Sequence, residues 1–234
     1  MTRNDTAAPR TSRATAKAER RQSLIDATIS SIALYGLSGT TLGRVTEIAG
    51  TSVGLANFYF DSKEALFEAV LQQLADAERA LWQQQNSNTA LTPTERLVAL
   101  ADARFDARCC DRRSLAVWFA FWGDAGAREI YRRVVEDRDE ERLQATVAII
   151  EALNAQGASA GAGRTGRDPR QIALGLEALY DGLWLNHLLY PSDFRRLQCR
   201  ATARDHLAAL FFDPDAGDRP NDRTTPQDTP QKGT

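Results

Sequence analysis

Apolar residues recur along most of the chain at the three- and four-residue spacing of helices that bury one face. From Ala18 to Tyr35 the stripe is Leu24, Thr28, Ile32 and Tyr35, widened by Ile25 and Ile29, and Gly36 stands where helices commonly stop. Short helices are expected over 42–49 and 53–59. A long one follows from a Ser62 cap through Gln85, with Leu66, Phe67, Val70, Leu71, Leu74 and Leu81 on its apolar face. Thr92-Pro93-Thr94-Glu95 carries a complete helix start: Thr92 at the N-cap, Pro93 at the first position, and Glu95 placed to reach back. That helix should extend to Cys110. Others are expected over Arg113–Gly123 and Ala125–Asn154, from Asp168-Pro169 to Leu189, and from Pro191-Ser192 to Phe212. No segment sustains period-two alternation; the VWFAFW run could form a buried strand, but it has no partner strand. The pattern predicts an all-α protein.

Outside these segments the pattern lapses. Residues 1–18 and 213–234, the latter with Pro214, Pro220, Pro226 and Pro230, read as disordered tails, and GASAGAGRTG reads as a flexible loop. The chain of 234 residues is 43% hydrophobic and 26% charged, with a formal net charge of -2, which excludes a uniformly basic nucleic-acid binder. Any positive surface must be local, and Arg10, Arg13, Lys17, Arg20 and Arg21 form such a cluster. No apolar run is long enough to span a membrane, and the N-terminus lacks the apolar stretch of a secretory signal. Three cysteines without C-x-x-C spacing and only two histidines predict no disulfide framework, no metal and no cofactor. A reducing, cytoplasmic location, associated with the nucleoid, is the expectation.

The chemistry concentrates in residues 40–66, TTLGRVTEIAGTSVGLANFYFDSKEAL. Leu42, Val45 and Ile48 can face inward from a first short helix, and Gly50 permits a tight turn. Ser52 is placed to cap a second helix whose Leu55, Phe58 and Tyr59 return to the core. Helix, glycine-bearing turn and second helix form the helix-turn-helix pattern, whose second helix enters the major groove N-terminal end first. Small Val53, Gly54 and Ala56 suit close approach to base edges, with Val53 or Ala56 available to thymine methyls. Hydroxyls of Thr40, Thr41 and Ser52 and the ammonium of Lys63 suit phosphates. Each piece also has a plainer reading, as an ordinary turn, a set of helix caps and a solvated basic tail.

The whole string resembles the TetR family of regulators. The matching residues are Thr41, Ile48, Ala49, Gly50, Ser52, Gly54, Tyr59, Phe60, Ser62, Lys63, Glu64 and Leu66. The resemblance implies a three-helix DNA-binding head, here 19–62, and a larger helical effector-binding and dimerisation domain, here 63–212. It further implies phosphate contacts from Thr41, Tyr59 and Lys63, with Ser52 to Leu55 at the groove. Thr51 stands where the family pattern has an apolar residue, and Asn57 where a tyrosine often meets the backbone.

Two later segments are aromatic. Trp118, Phe121 and Trp122 share one helical face, and Tyr180 and Trp184 share another, with Asp181 beside it. Such faces near a carboxylate suit a quaternary ammonium through cation–π attraction, although an aromatic stripe at helical spacing more commonly forms a core or a dimer interface. The strings LAVWFAFWGDA and YDGLWL resemble the BetI-type branch of the family, repressors of betaine synthesis, whose implied effector is choline or a related cation. The last two helices, with Leu174, Leu185, Leu188, Leu207, Leu210 and Phe211, would supply a homodimer interface that pairs two heads on a palindromic operator. The alternative within the family is a regulator of an efflux or catabolic operon with another hydrophobic or cationic effector. A helical protein-interaction adaptor is the reading that needs no DNA. For an enzyme the sequence offers no nucleophile–base constellation, phosphate loop or metal triad.

Overall fold

The computed structural model describes residues 13–160 and 167–211. Nine helices and no strands occur among them. They are α1 (Arg13–Gly39), α2 (Leu42–Ile48), α3 (Val53–Tyr59), α4 (Lys63–Asn86), α5 (Pro93–Arg104), α6 (Arg112–Gly123), α7 (Arg128–Ala160), α8 (Pro169–Leu189) and α9 (Arg196–Phe211). The all-α expectation holds, and VWFAFW is the middle of α6 rather than a strand.

Local chemistry sets most of the boundaries. Thr41, Ser52 and Ser62 each accept a hydrogen bond from a backbone N–H in the first turn of the helix that follows. At Thr92 the capping box is complete: Thr92 Oγ1 accepts from Glu95 N, and Glu95 Oε2 accepts from Thr92 N at 2.9 Å, with Pro93 in the first turn. α6 opens on Asp111, whose carboxylate accepts from both Arg113 N and Ser114 N, and α8 opens on Asp168 followed by Pro169.

Several expected limits move. α1 begins at Arg13, so residues 13–18 are helical rather than part of a tail, and the helix kinks at Gly36 (φ 68°) before a last turn to Gly39. α5 stops at Arg104 because the chain turns through Asp106, whose carbonyl accepts from Cys109 N and Cys110 N. α7 reaches Ala160, so its last turn takes in residues 157–160 of the expected loop. Pro191 and Ser192 lie in a turn closed by Asp193 N and Phe194 N on the Tyr190 carbonyl, which delays α9 to Arg196. The remaining tail and loop expectations, residues 1–12, 161–166 and 212–234, lie outside the described residues.

One core runs through head and body. Leu24, Ile25, Ile29 and Ile32 of α1 pack with Val45, Ala56, Phe60 and Leu66, and α4 carries the apolar face onward through Val70, Leu71 and Leu74. In the body α4 packs on α5 and α7, α7 on α8, and α8 on α9, while α6 lies against α1. Two helices therefore connect the head to the body interior: α4, which is continuous with it, and α6, which touches it. Phe67 of α4 and Phe121 of α6 meet edge to face between them, with ring centroids 5.7 Å apart.

Candidate DNA interface and effector cavity

The head presents a short helix with most of its polar and bulky groups turned outward. Gly50 takes φ 62° in the turn between α2 and α3, and its N–H donates to the Glu47 carbonyl at 3.2 Å. Within α3 inward contact rests on Ala56, which is 0% exposed, so it is core and not available to thymine. Ser52, Val53, Gly54, Asn57 and Phe58 are exposed together on α3, while Leu55 and Tyr59 are half-buried. Apart from its chain neighbours and the helix's own backbone, no atom of the described residues approaches a Cβ built on Gly54 more closely than Ser52 Oγ at 4.0 Å, so no packing contact requires glycine there.

Three expected inward residues of the head face out, the first being Tyr35 at the end of the α1 stripe, which is 50% exposed. Phe58 is 69% exposed, with its ring edge-on to Tyr59, and Ile48 of α2 is also exposed. The inward pair of this segment is Ala56 and Phe60, four residues apart. The spacing was visible in the sequence, but the larger aromatic at 58 outweighed alanine as a core candidate.

Thr40 corrects another expectation. It is 1% exposed; its hydroxyl donates to the Gly36 carbonyl at 2.8 Å and accepts from Ser31 Oγ at 3.1 Å, bracing the kink of α1. A buried, doubly bonded hydroxyl is not open to a phosphate. Thr41 is exposed at the start of α2. Lys63 Nζ donates to the Leu37 carbonyl at 3.2 Å and sits 4.9 Å above the Phe67 ring.

Positive charge flanks this face. Arg13, Lys17, Arg20 and Arg21 project from α1, Lys17 Nζ lying 5.6 Å from the Phe58 ring and Arg21 5.0 Å from Phe60. Arg44, which sequence reasoning passed over, stacks 4.7 Å from the exposed Tyr35 ring. Arg10 lies outside the described residues.

The second site lies inside the body. Four of the six aromatic and acidic candidates, Trp118, Trp122, Asp181 and Trp184, line one cavity of about 50 Å³ together with Tyr131, Glu78, Asp139, Arg104 and Arg142. Phe121 does not join them. It is 0% exposed and turned towards Phe67. Tyr180 packs edge-on to Phe105 and faces a neighbouring cleft with Trp82 and Glu177. Sharing a helical face was too coarse a criterion, because one face can serve two sides of a core.

The cavity is charged as well as aromatic. Arg104 pairs with Glu78 and, at 2.7 Å, with Asp181. Arg142 reaches Glu177 at 3.0 Å, Asp139 at 3.1 Å and Glu78 at 3.4 Å. Tyr131 Oη donates to Asp139 at 2.8 Å, its own ionisation pushed up by burial and then by that carboxylate. Burial opposes the charge on Arg104, yet Glu78, Glu177 and Asp181 outweigh it and hold the guanidinium firmly protonated. For Glu177 burial pulls upward, but Arg142 and Arg104 keep it below the usual carboxylate range. Asp181 differs: burial dominates and raises it despite Arg104. The cavity wall itself carries three carboxylates, Glu78, Asp139 and Asp181, against two guanidiniums, an excess of one negative charge among buried and half-buried rings. Glu177 of the neighbouring cleft adds a fourth partner.

The three thiols, Cys109, Cys110 and Cys199, are buried and free. Burial pushes Cys109 and Cys110 up to about 12, which leaves them unreactive. No helix among the described residues is long and apolar enough to cross a membrane.

A capped helix, a glycine turn and an outward-facing second helix, carried on a helical body with an internal cavity, define a ligand-responsive helix-turn-helix regulator. Residues 24–70 match the family described as "Bacterial regulatory proteins, tetR family", and residues 93–211 match "BetI-type transcriptional repressor, C-terminal". The HTH-type transcriptional regulator BetI of Paraburkholderia xenovorans is 32% identical over 191 residues, covering 80% of this chain and 91% of the relative. Among solved structures, a transcriptional regulator from Pseudomonas aeruginosa PAO1 superposes with TM-score 0.69 at 29% identity, covering 82% of this chain and 90% of that one. A regulator from Saccharomonospora viridis, solved in complex with choline, shares the fold with TM-score 0.64 at 21% identity over 81% of this chain and 96% of its own. The chain belongs to the TetR family, in its BetI-type branch, and is a ligand-responsive, DNA-binding transcriptional repressor rather than an enzyme. Regulators of this family bind operator DNA and small effectors and are dimeric.

Proposed function

We propose that this repressor answers to a small quaternary-ammonium compound of the choline class, received among Trp118, Trp122, Tyr131 and Trp184. The observation that carries the reading is the coincidence of those ring faces with an excess of carboxylates in one cavity. Ring faces attract a cation that has no hydrogen-bond donors, and a net negative, partly buried surround strengthens that attraction. The choline held by the Saccharomonospora viridis relative is consistent with this chemistry.

On the DNA side, residues 19–62 form the reading head, extended at its start by the helical residues 13–18 of α1. Val53, Gly54, Asn57 and Phe58 meet base edges, Leu55 flanks them, and Ser52, Thr41, Tyr59 and Lys63 hold the backbone. Residues 63–212 bind the effector and dimerise. The exposed face of α8 supports this, with Leu174, Leu185 and Leu189 around the small residues Gly175, Ala178 and Gly182. Leu188, Leu210 and Phe211 border it half-buried, whereas Leu207 is 0% exposed and belongs to the chain's own core.

Occupation of the cavity shifts α4 and α6, alters the separation of the two heads, and weakens their fit to the operator. The test is direct. Duplexes are selected from a random pool by the full-length protein, and their affinity is remeasured with added choline chloride or tetramethylammonium chloride. Weakened operator binding, saturating with the cation and exceeding the effect of equal sodium chloride, supports the reading. Identical effects of the three salts refute it.

A further inference from the structure

The cavity already holds a cation of its own. Arg104, in the last turn of α5, is 4% exposed, and its guanidinium carbon lies 4.0 Å from the centroid of the Trp184 ring. Trp184 Nε1 in turn donates to the Arg104 carbonyl at 2.8 Å, so ring and residue fix each other. The guanidinium binds Glu78 on α4 and Asp181 on α8, and lies 3.8 Å from Glu177. It is thus the tie among α4, α5 and α8. Its Nε is buried without an acceptor, so the arrangement leaves one of its donors unsatisfied.

A quaternary ammonium would draw on the same partners, the Trp184 face and the surrounding carboxylates. With Arg104 in place the remaining space is about 50 Å³, room for water rather than for an organic cation. Resting on the cation reading above, we propose that Arg104 is a built-in competitor for the effector site. The effector takes the Trp184 face only when the guanidinium leaves it, and the release of Glu78 reports occupancy along α4 to the head. Glu78 also has Arg142 at 3.4 Å, a second partner that leaves its charge paired when Arg104 departs. Arg104 therefore sets both the threshold of the response and its direction. A cation that cannot displace a stacked, doubly paired guanidinium is rejected however well it fits the rings.

The experiment titrates choline chloride into the full-length protein by calorimetry, for the wild type and for Arg104→Met, which keeps length and apolar bulk but has no charge. The proposal expects choline to bind the variant about tenfold more tightly or better, because the competing cation is gone. It also expects weaker operator binding by the variant without any effector. Removing a positive charge beside the site would by itself favour a cation, so the gain is diagnostic when read together with Arg104→Lys, which keeps that charge. Equal or weaker choline binding by the folded variant, or unchanged operator affinity, overturns the proposal while leaving the cation reading intact. Absence of binding to either protein sinks the cation reading, and this proposal with it. Arg104→Lys supplies a second route if the methionine variant does not fold. Lysine keeps the charge near Glu78 and Asp181 but lacks the planar group that stacks. A several-fold gain in choline affinity is expected there too, and no gain counts against displacement.

Discussion

The head and the cavity handle polar groups in opposite ways. On α3 the side chains of Ser52, Asn57 and Phe58 stand in solvent, and the packing beneath them rests on Ala56 and Phe60. Around the cavity Glu78 and Arg104 are buried, and Arg104, Arg142, Glu177 and Asp181 all find partners within the chain. An open face can be changed at little cost to the fold and at full cost to recognition. A cluster whose charges are paired with one another is part of the fold, so a ligand that enters it must disturb something already paired. In the proposed reading, that disturbance is how a small molecule would act at a distance.

The contrast can be broken most severely at Trp184. Trp184→Ala is expected to lower stability by about 3–5 kcal/mol, because a fully buried indole and its bond to the Arg104 carbonyl both disappear. Chemical denaturation checks this, and a loss below about 1 kcal/mol would mean that the ring is not part of the core. For the ligand itself the gentler Trp184→Phe is preferable, since it retains a ring face while weakening choline binding.

Phe58→Ala should behave in the opposite sense. With the ring 69% exposed, stability should change by less than about 0.5 kcal/mol while operator affinity falls by about tenfold. Unfolding and operator titrations on the same preparation separate the two effects. A large stability loss with unaltered operator binding would place Phe58 in the core after all. Gly54→Ala sharpens the same point: helix propensity predicts a gain of about 0.5–1 kcal/mol in stability, set against weaker operator binding.

Acidity probes the cluster. Burial raises Asp181, so protonation begins above the ordinary value of 3.8 and removes a negative charge facing Arg104, Glu177, Arg142 and Glu78. Choline affinity should therefore fall as pH falls through that raised range, and an affinity unchanged down to 3.8 would exclude Asp181 from cation binding. On stability the sign is reversed. A raised folded pKa favours the neutral acid, so this group's contribution is present at low pH and is lost as pH rises through the folded value.

The smallest effect lies outside both sites. Thr92→Ala breaks the capping box of α5 and should cost about 1 kcal/mol without altering operator selectivity. Thermal unfolding compared with the wild type checks it.

How far the sequence reached follows the same division. The caps at Ser52, Ser62 and Thr92 and the turn at Gly50 depend on neighbours within a few residues, and all were legible. The two aromatic segments were legible as helical faces, but that Trp118, Trp122, Asp181 and Trp184 line one cavity is set by packing between helices far apart in sequence. Arg104 and Glu78 were not legible. They come from α5 and α4, 26 residues apart, and each reads as an ordinary charged position on an amphipathic helix. Nothing in the local pattern says that the two meet under a tryptophan from α8. The burial of Thr40 was hidden for a related reason, since the kink at Gly36 brings it back onto Ser31 of the same helix.

The central claim is that the two sites are coupled through one fold. The measurement closest to it is the dissociation constant of choline for the full-length repressor, with and without saturating operator duplex at fixed salt. Linkage requires operator to weaken choline binding by the same factor by which choline weakens operator binding. Matching factors well above one are the predicted result. Equal choline affinity in the two states would contradict the account.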